Sequence, residues 1–150
     1  MMMKGFFIKK EAIPKDFLIK LQNEILENDT ANKIGALTSF VGVVRSTSES
    51  EEKQVIRMEV EAWEEEGDSY LNTIVEDLIL STGIIDARLV HVHGHLNLGD
   101  PIVYLVLASS HRKEAFAALE PFIEAYKNKA PVWKKEIYSD GTTKWIRTAH

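Results

Sequence analysis

Two apolar stretches, 84–93 and 102–109, are parted by little more than the turn Leu98-Gly99-Asp100-Pro101. Gly and Pro at such a point reverse the chain, so the two stretches read as neighbouring antiparallel strands. The pattern recurs elsewhere. Residues 34–45 are rich in β-branched and aromatic side chains and read as a long strand. Residues 54–63 alternate, with Val55, Arg57, Glu59 and Glu61 set against Ile56, Met58, Val60 and Ala62. Residues 132–138 and 144–147 flank Ser139-Asp140-Gly141-Thr142, a hairpin signal. A further short strand is expected at 5–10. Strands that mostly follow one another through hairpins can build only a largely antiparallel sheet.

Helical spacing appears in three places. Asp16 is placed to cap a helix whose apolar positions are Phe17, Leu18, Leu21, Ile25 and Leu26. Residues 64–82 carry Tyr70, Leu71, Ile74, Val75, Leu78 and Ile79 on one side, with Gly83 as the C-cap. Residues 112–127 carry Ala115, Phe116, Leu119, Phe122, Ile123 and Tyr126, and Pro121 inside that stripe is expected to kink or interrupt the helix. Strands outnumber helices, so the class is α+β, with helices packed on the sheet. A chain of 150 residues suits one domain spanning 1–150. No repeat or linker divides it. Residues 46–53 lack apolar side chains and read as a mobile loop.

Composition removes several function classes. No apolar run approaches 18 residues, and the apolar start is broken by Lys9, Lys10 and Glu11. The expected location is the cytoplasm. There is no cysteine, hence no disulfide, thiolate zinc site or thiol nucleophile. The net charge is −5, and no stripe of basic and aromatic residues offers a nucleic-acid footprint. The charge is unevenly spread. Residues 49–77 hold 11 acidic and two basic side chains, whereas 111–150 hold eight basic and five acidic ones. The first stretch reads as a solvated face; the second suits an anionic ligand or an acidic partner.

Four segments carry groups capable of chemistry. In His91-Val92-His93-Gly94-His95 three imidazoles recur at strand spacing, which on one face would suit a metal. The run contains no carboxylate, however, and Gly94 is placed to bend the strand. Phe40-Val41-Gly42-Val43-Val44-Arg45 ends an apolar strand in a guanidinium that could meet an anion or simply reach water. In Ser109-Ser110-His111-Arg112 a strand hands over to a helix, whose free N–H groups favour a phosphate or carboxylate. Cations at a helix N-terminus are locally unfavourable, so His111 and Arg112 there suggest an anionic ligand. Last, Lys127-Asn128-Lys129-Ala130-Pro131-Val132-Trp133-Lys134-Lys135-Glu136 holds four lysines where a helix gives way to a strand. Alternation puts Lys134 and Glu136 on one face and Lys135 on the other, so only one of the adjacent lysines enters a given pocket. A lysine partly buried there, near Arg45 or Arg112, would lose affinity for its proton and gain nucleophilicity.

Taken together, these segments resemble the large, catalytic subunit family of molybdopterin synthase. The matching residues begin with Gly35-Ala36 and Phe40 to Arg45. Met58-Glu59-Val60-Glu61-Ala62-Trp63, His91 to Asp100, and His111-Arg112 with Ala115-Phe116 follow. Lys127 to Glu136, Asp140-Gly141 and Trp145 complete the set. The resemblance covers about residues 33–147. It implies an α/β hammerhead fold and a homodimer that binds a small ubiquitin-like sulfur-carrier subunit at each end, forming a heterotetramer. The carrier's C-terminal Gly-Gly thiocarboxylate would supply sulfur to cyclic pyranopterin monophosphate, making the dithiolene of molybdopterin. The lack of cysteine agrees, since the partner brings the sulfur.

The resemblance also assigns roles. Lys127 and Lys134 match the catalytic lysines. Arg45, His111 and Arg112 match groups that bind the substrate phosphate, the His-Arg pair arriving from the second subunit. Phe40 matches a position near the pocket. No metal or cofactor is implied. The chain departs from the family at Val92, where an Arg is usual, and at Trp63, where Tyr is more common. The alternative from another class is a non-catalytic module binding a phosphorylated ligand through the same basic pocket. A metal hydrolase built on His91, His93 and His95 is a further one.

Overall fold

A computed structural model describes residues 3–48, 51–63 and 65–146. In chain order the elements are β1 (Gly5–Lys9), a 3₁₀ turn (Lys10–Ala12), α1 (Phe17–Asn28), β2 (Ala36–Val43), β3 (Val55–Ala62) and α2 (Gly67–Thr82). Then come β4 (Asp86–Asn97), β5 (Pro101–Ser109), α3 (Arg112–Lys129), β6 (Val132–Tyr138) and β7 (Thr143–Ile146). Of the sequence expectations, Glu49 and Ser50 of the loop, Glu64 of the second helix and Arg147 of the last strand lie outside the described residues.

The sheet has seven strands in the order β2-β5-β4-β3-β6-β7, with β1 added beside β4. Only the β1–β4 pairing is parallel and the others are antiparallel, but only β4–β5 and β6–β7 are the expected hairpins; β2 pairs with β5, and β3 with β4 and β6. β4 organises the molecule. Its residues 86–91 pair with β5, 89–93 with β1 and 94–97 with β3. β1 and β3 therefore follow each other along one edge of β4, and the changeover falls at Gly94. That residue has φ +118, which a side chain rarely permits. The fold class is thus α+β, two half-sheets sharing one bent strand.

Helices cover the β4–β5 half on both faces. On one, Phe17 of α1 meets Tyr104 edge-on at 5.1 Å. On the other lie α2 and α3, with Tyr126 of α3 against His91 at 6.1 Å. Leu89, Val90, Val92, Leu105, Val106 and Leu107 are consequently sealed from water, each contributing about 1.5–3 kcal/mol by its burial. Arg88 is buried too, but Glu24 and Asp86 meet its guanidinium at 2.7 and 2.8 Å. No helix among the described residues is long and apolar enough to cross a membrane.

Several local expectations are corrected. Asp16 holds the N-cap position of α1 but makes no side-chain cap bond, since its φ of 58 is left-handed instead of extended. The alternation of 54–63 breaks at Ile56, where the β3–β6 register shifts between Val55 and Arg57. Val55, Met58 and Val60 are therefore the buried set, and Ile56 is exposed. Pro121 does not interrupt α3. The carbonyl it leaves unbonded belongs to Ala117, an exposed residue, while Ala118, Phe122 and Tyr126 hold the opposite face in the core. Phe116 and Tyr70, expected inside, are exposed; Tyr70 stacks on Trp63 at 5.6 Å. Gly83 takes its C-cap place with φ 73.

Candidate active site

The last turn of α3 and the first half of β6 bring two lysines together. Lys127 lies in that last turn, where a cation complements the helix dipole. Lys134 lies on β6 opposite Val60, itself opposite Gly94 of β4. The alternation expected from sequence holds here. Lys135 turns outward, 3.0 Å from Glu59 and 5.3 Å from the Trp145 ring centre. Lys134 turns inward. Burial, and then the charge of Lys127, lower its pKa to about 8. At neutral pH roughly a tenth of the amine is thus free base, against far less for an ordinary lysine.

His91 and Tyr126 form a buried floor beside Lys134, their rings 6.1 Å apart and the Lys134 charge acting on His91. Both are buried. Desolvation, then the Lys134 charge and His93, pull the His91 pKa down to about 3, outweighing the opposing pull of the Val92 carbonyl. Desolvation pushes the Tyr126 hydroxyl up to about 12. The floor is therefore uncharged and both charges above it are cationic, an arrangement that favours an anion and keeps one lysine partly neutral. Glu136, on the Lys134 face of β6, is occupied: Tyr138 and Ser48 donate hydroxyl hydrogen bonds to it at 2.9 and 2.6 Å. Those bonds tie the segment after Arg45 to β6.

The remaining sequence candidates lie elsewhere in the chain. His111 and Arg112 sit at the N-terminus of α3, exposed, with His111 3.4 Å from Glu114. Fifteen residues of helix put Arg112 roughly 20 Å from Lys127. Arg45 is exposed just beyond β2, where Ser46 accepts from the Val55 N–H. That places it near the start of β3, roughly 16 Å along the strand from Val60 and its partner Lys134. Phe40 is half-buried in β2 and packs against the core. One chain thus unites Lys127 with Lys134 and leaves the three anion-binding candidates at two other places.

The histidine run does not form a shared face. Gly94 turns the strand, His91 is buried, and His95 points outward to Glu59 at 3.3 Å. Among the described residues no group of three or more His, Cys, Asp or Glu side chains is placed to hold a metal ion. Sequence reasoning weighed His91 as a metal ligand against a strand-surface or packing residue, and did not place it beside the lysines. The signal was present: Leu89, Val90 and Val92 mark a strand apolar on both faces, and a residue amid them is buried.

Comparison with known proteins shows the family and the fold. Residues 16–129 match the family described as MoaE protein. The chain is 36% identical over 118 residues to the molybdopterin synthase catalytic subunit of Cereibacter sphaeroides, across 79% of this chain and 77% of that one. It is 33% identical over 144 residues to the Bacillus subtilis protein of the same name, across 96% and 85%. The crystal structure of molybdopterin synthase from Staphylococcus aureus matches with TM-score 0.75 and 26% identity over 96% of both chains. A complex of subunits 1 and 2 of the Helicobacter pylori molybdopterin-converting factor shares the fold, with TM-score 0.64 and 21% identity over 95% of this chain and 88% of that one. The chain belongs to the MoaE family, whose members include catalytic subunits of molybdopterin synthase.

Proposed function

We propose that this chain is the catalytic subunit of a molybdopterin synthase, a sulfurtransferase of molybdenum cofactor biosynthesis. Its sulfur donor is the C-terminal Gly-Gly thiocarboxylate of a small ubiquitin-like partner, and its substrate is cyclic pyranopterin monophosphate. The observation that carries this reading is the pair Lys127 and Lys134, one of them with its pKa lowered to about 8 by burial and by the other's charge. Domain 1–150 acts as one unit in the cytoplasm.

The chemistry follows from the charges. A thiocarboxylate is an anion drawn to a dicationic pocket, and the tetrahedral oxyanion formed at its acyl carbon is stabilised by an ammonium within reach. The minor fraction of the Lys134 amine that is free base at neutral pH can take a proton at the carbon that accepts sulfur, and its ammonium form can return one. Arg45, with His111 and Arg112 of a second copy, holds the substrate phosphate, each charge-assisted bond contributing about 1.5–3 kcal/mol. The distance along α3 is what requires a second copy. A homodimer with one small partner at each end, a heterotetramer, satisfies that requirement.

The test is turnover. The chain is mixed with a thiocarboxylated ubiquitin-like carrier and cyclic pyranopterin monophosphate, and molybdopterin is read through its fluorescent oxidation product. Lys127→Ala is expected to lower the rate by about 10²–10⁴-fold while the protein stays folded. A variant retaining more than about a tenth of the rate removes Lys127 from catalysis. No product from the folded wild type, with the ligand still bound, would favour the non-catalytic module instead.

A further inference from the structure

The pocket floor holds a histidine with an unused lone pair. The His91 Nδ1 lies 3.0 Å from the Val92 carbonyl oxygen. A carbonyl only accepts, so Nδ1 carries the proton and donates it. Nε2 is then a bare acceptor, buried and without a hydrogen-bond partner. Buried polar atoms are nearly always paired, and an exception calls for a reason. The ring is held in place, with Phe7 of β1 at 5.8 Å and Tyr126 of α3 at 6.1 Å.

Lys134 has the opposite deficit. Among the described residues no carboxylate pairs with it: Glu59 is taken by Lys135 and His95, and Glu136 by Tyr138 and Ser48. Both side chains face the end of α3. Tyr126 lies against His91, and its neighbour Lys127 bears on Lys134. Lys134 in turn acts electrostatically on His91. An amine with hydrogens to donate and an acceptor with none to receive therefore lie near each other.

We propose that His91 is a positioning residue for Lys134, its Nε2 accepting a hydrogen bond from the Lys134 amine when that side chain swings toward the ring. The proposal rests on reading Lys134 as an active-site lysine. No proton changes hands: Nδ1–H stays on the Val92 carbonyl and the amine keeps its own hydrogens. The titratable groups facing His91 are Tyr126 from α3, Lys134 from β6 and His93 from its own strand, while β1 contributes the apolar Phe7. Lys127 from α3 faces Lys134. Burial among these keeps the imidazole neutral, so it remains an acceptor throughout the range in which Lys134 titrates.

The experiment is nitrogen NMR on the intact protein labelled at His and Lys. In the wild type, the His91 Nε2 resonance is expected to move upfield as Lys134 gains its proton, while Nδ1 stays protonated. An Nε2 resonance that is flat through the Lys134 titration overturns the proposal, and this arm needs no variant. His91→Phe keeps a ring against Phe7 and Tyr126 but offers no acceptor. It is expected to lower the Lys134 midpoint by about one unit, a tenfold change in acid dissociation, because the ammonium loses a partner. His91→Gln, which restores an acceptor, is expected to recover part of that shift. A midpoint unmoved in folded His91→Phe also overturns the proposal.

These readouts are independent of turnover. Resonances that respond in a protein without synthase activity would uphold the contact and defeat the catalytic reading. Turnover that depends on Lys134 with silent resonances would do the reverse. In the synthase assay, His91→Phe is expected to lower kcat about tenfold with KM within about twofold, as for a group acting through the reacting amine.

Discussion

A side chain on β6 that faces the end of α3 meets two unfavourable conditions at once. It leaves water, and it approaches Lys127. Leucine or methionine would suit that place better for folding, yet it holds Lys134. The sign of the effect is definite. The folded-state pKa, about 8, lies below the ordinary lysine value of 10.5. Below pH 8 both folded and unfolded forms are protonated, and the native state bears the whole cost of the buried charge. Between pH 8 and 10.5 the unfolded chain binds more protons, so stability rises with pH and the cost fades. Lys134→Met is accordingly expected to stabilise the protein by about 1–2 kcal/mol at pH 7, the partial exposure of the side chain limiting the gain. Urea unfolding at pH 7 and pH 10 checks this. A gain that persists unchanged at pH 10 would show that methionine merely packs better. The same variant should have no synthase activity, the usual opposition between stability and a working site.

At the scale of elements, β1 and α2 form the support on which the pocket floor rests. β1 places Phe7 against His91, and α2 holds β1 by side chains as well as by packing. Asn72 accepts from the Lys4 N–H at 2.8 Å, and Asp68 accepts from the Phe7 N–H at 2.8 Å. The approach is close enough to require glycine. A Cβ on Gly5 would stand 2.5 Å from the carbonyl carbon and oxygen of Leu71, and backbone cannot yield as a side chain can. Gly5→Ala is expected to cost about 1–3 kcal/mol, measurable as a lowered urea midpoint. An unchanged midpoint would mean that β1 shifts freely, and Phe7 would then have no fixed place over His91. This contact also marks the limit of what sequence pattern reveals. Periodicity, composition and turn signals located the three α-helices and the seven strands, because these are local properties, but not the 3₁₀ turn at Lys10–Ala12. Periodicity lost phase at Ile56, where an irregularity is set by the pairing with β6. It ended β4 at residue 93, where Gly94 reads only as a bend, and the strand continues because β3 pairs with the residues beyond. It assigned Asp16 a cap by residue type, whereas the cap depends on a backbone angle. The lysine cluster was legible because helix end and strand start adjoin in sequence, but the choice of Lys127 with Lys134 came from the family resemblance. The role of His91 was not, because its surroundings come from β1, α3 and β6.

At the scale of the whole molecule, the lysine pair and the His-Arg pair form two sets that one chain cannot join. Lys127 and Lys134 lie at the C-terminal end of α3, and His111 and Arg112 at the N-terminal end, roughly 20 Å away. A helix of this length is rigid on that scale, so no loop motion brings its two ends together. If all four groups act on one substrate, two chains must lie so that the start of one α3 meets the end of the other. Two-fold symmetry then creates two equal sites, each drawing its lysines from one chain and its His-Arg pair from the partner. That arrangement makes a quantitative prediction. Take one protein carrying Lys127→Ala and Lys134→Ala and another carrying His111→Ala and Arg112→Ala, each inactive alone. After unfolding and refolding as an equal mixture, half of the dimers contain one chain of each kind. In such a dimer one site has lost all four groups, and the other has kept all four. The mixture should therefore recover about a quarter of the wild-type activity. Recovery requires chain exchange, so mixing the two native proteins without unfolding should give a slower return to the same level. If each site were built within a single chain, every site in every dimer would lack one set or the other, and mixing would restore nothing.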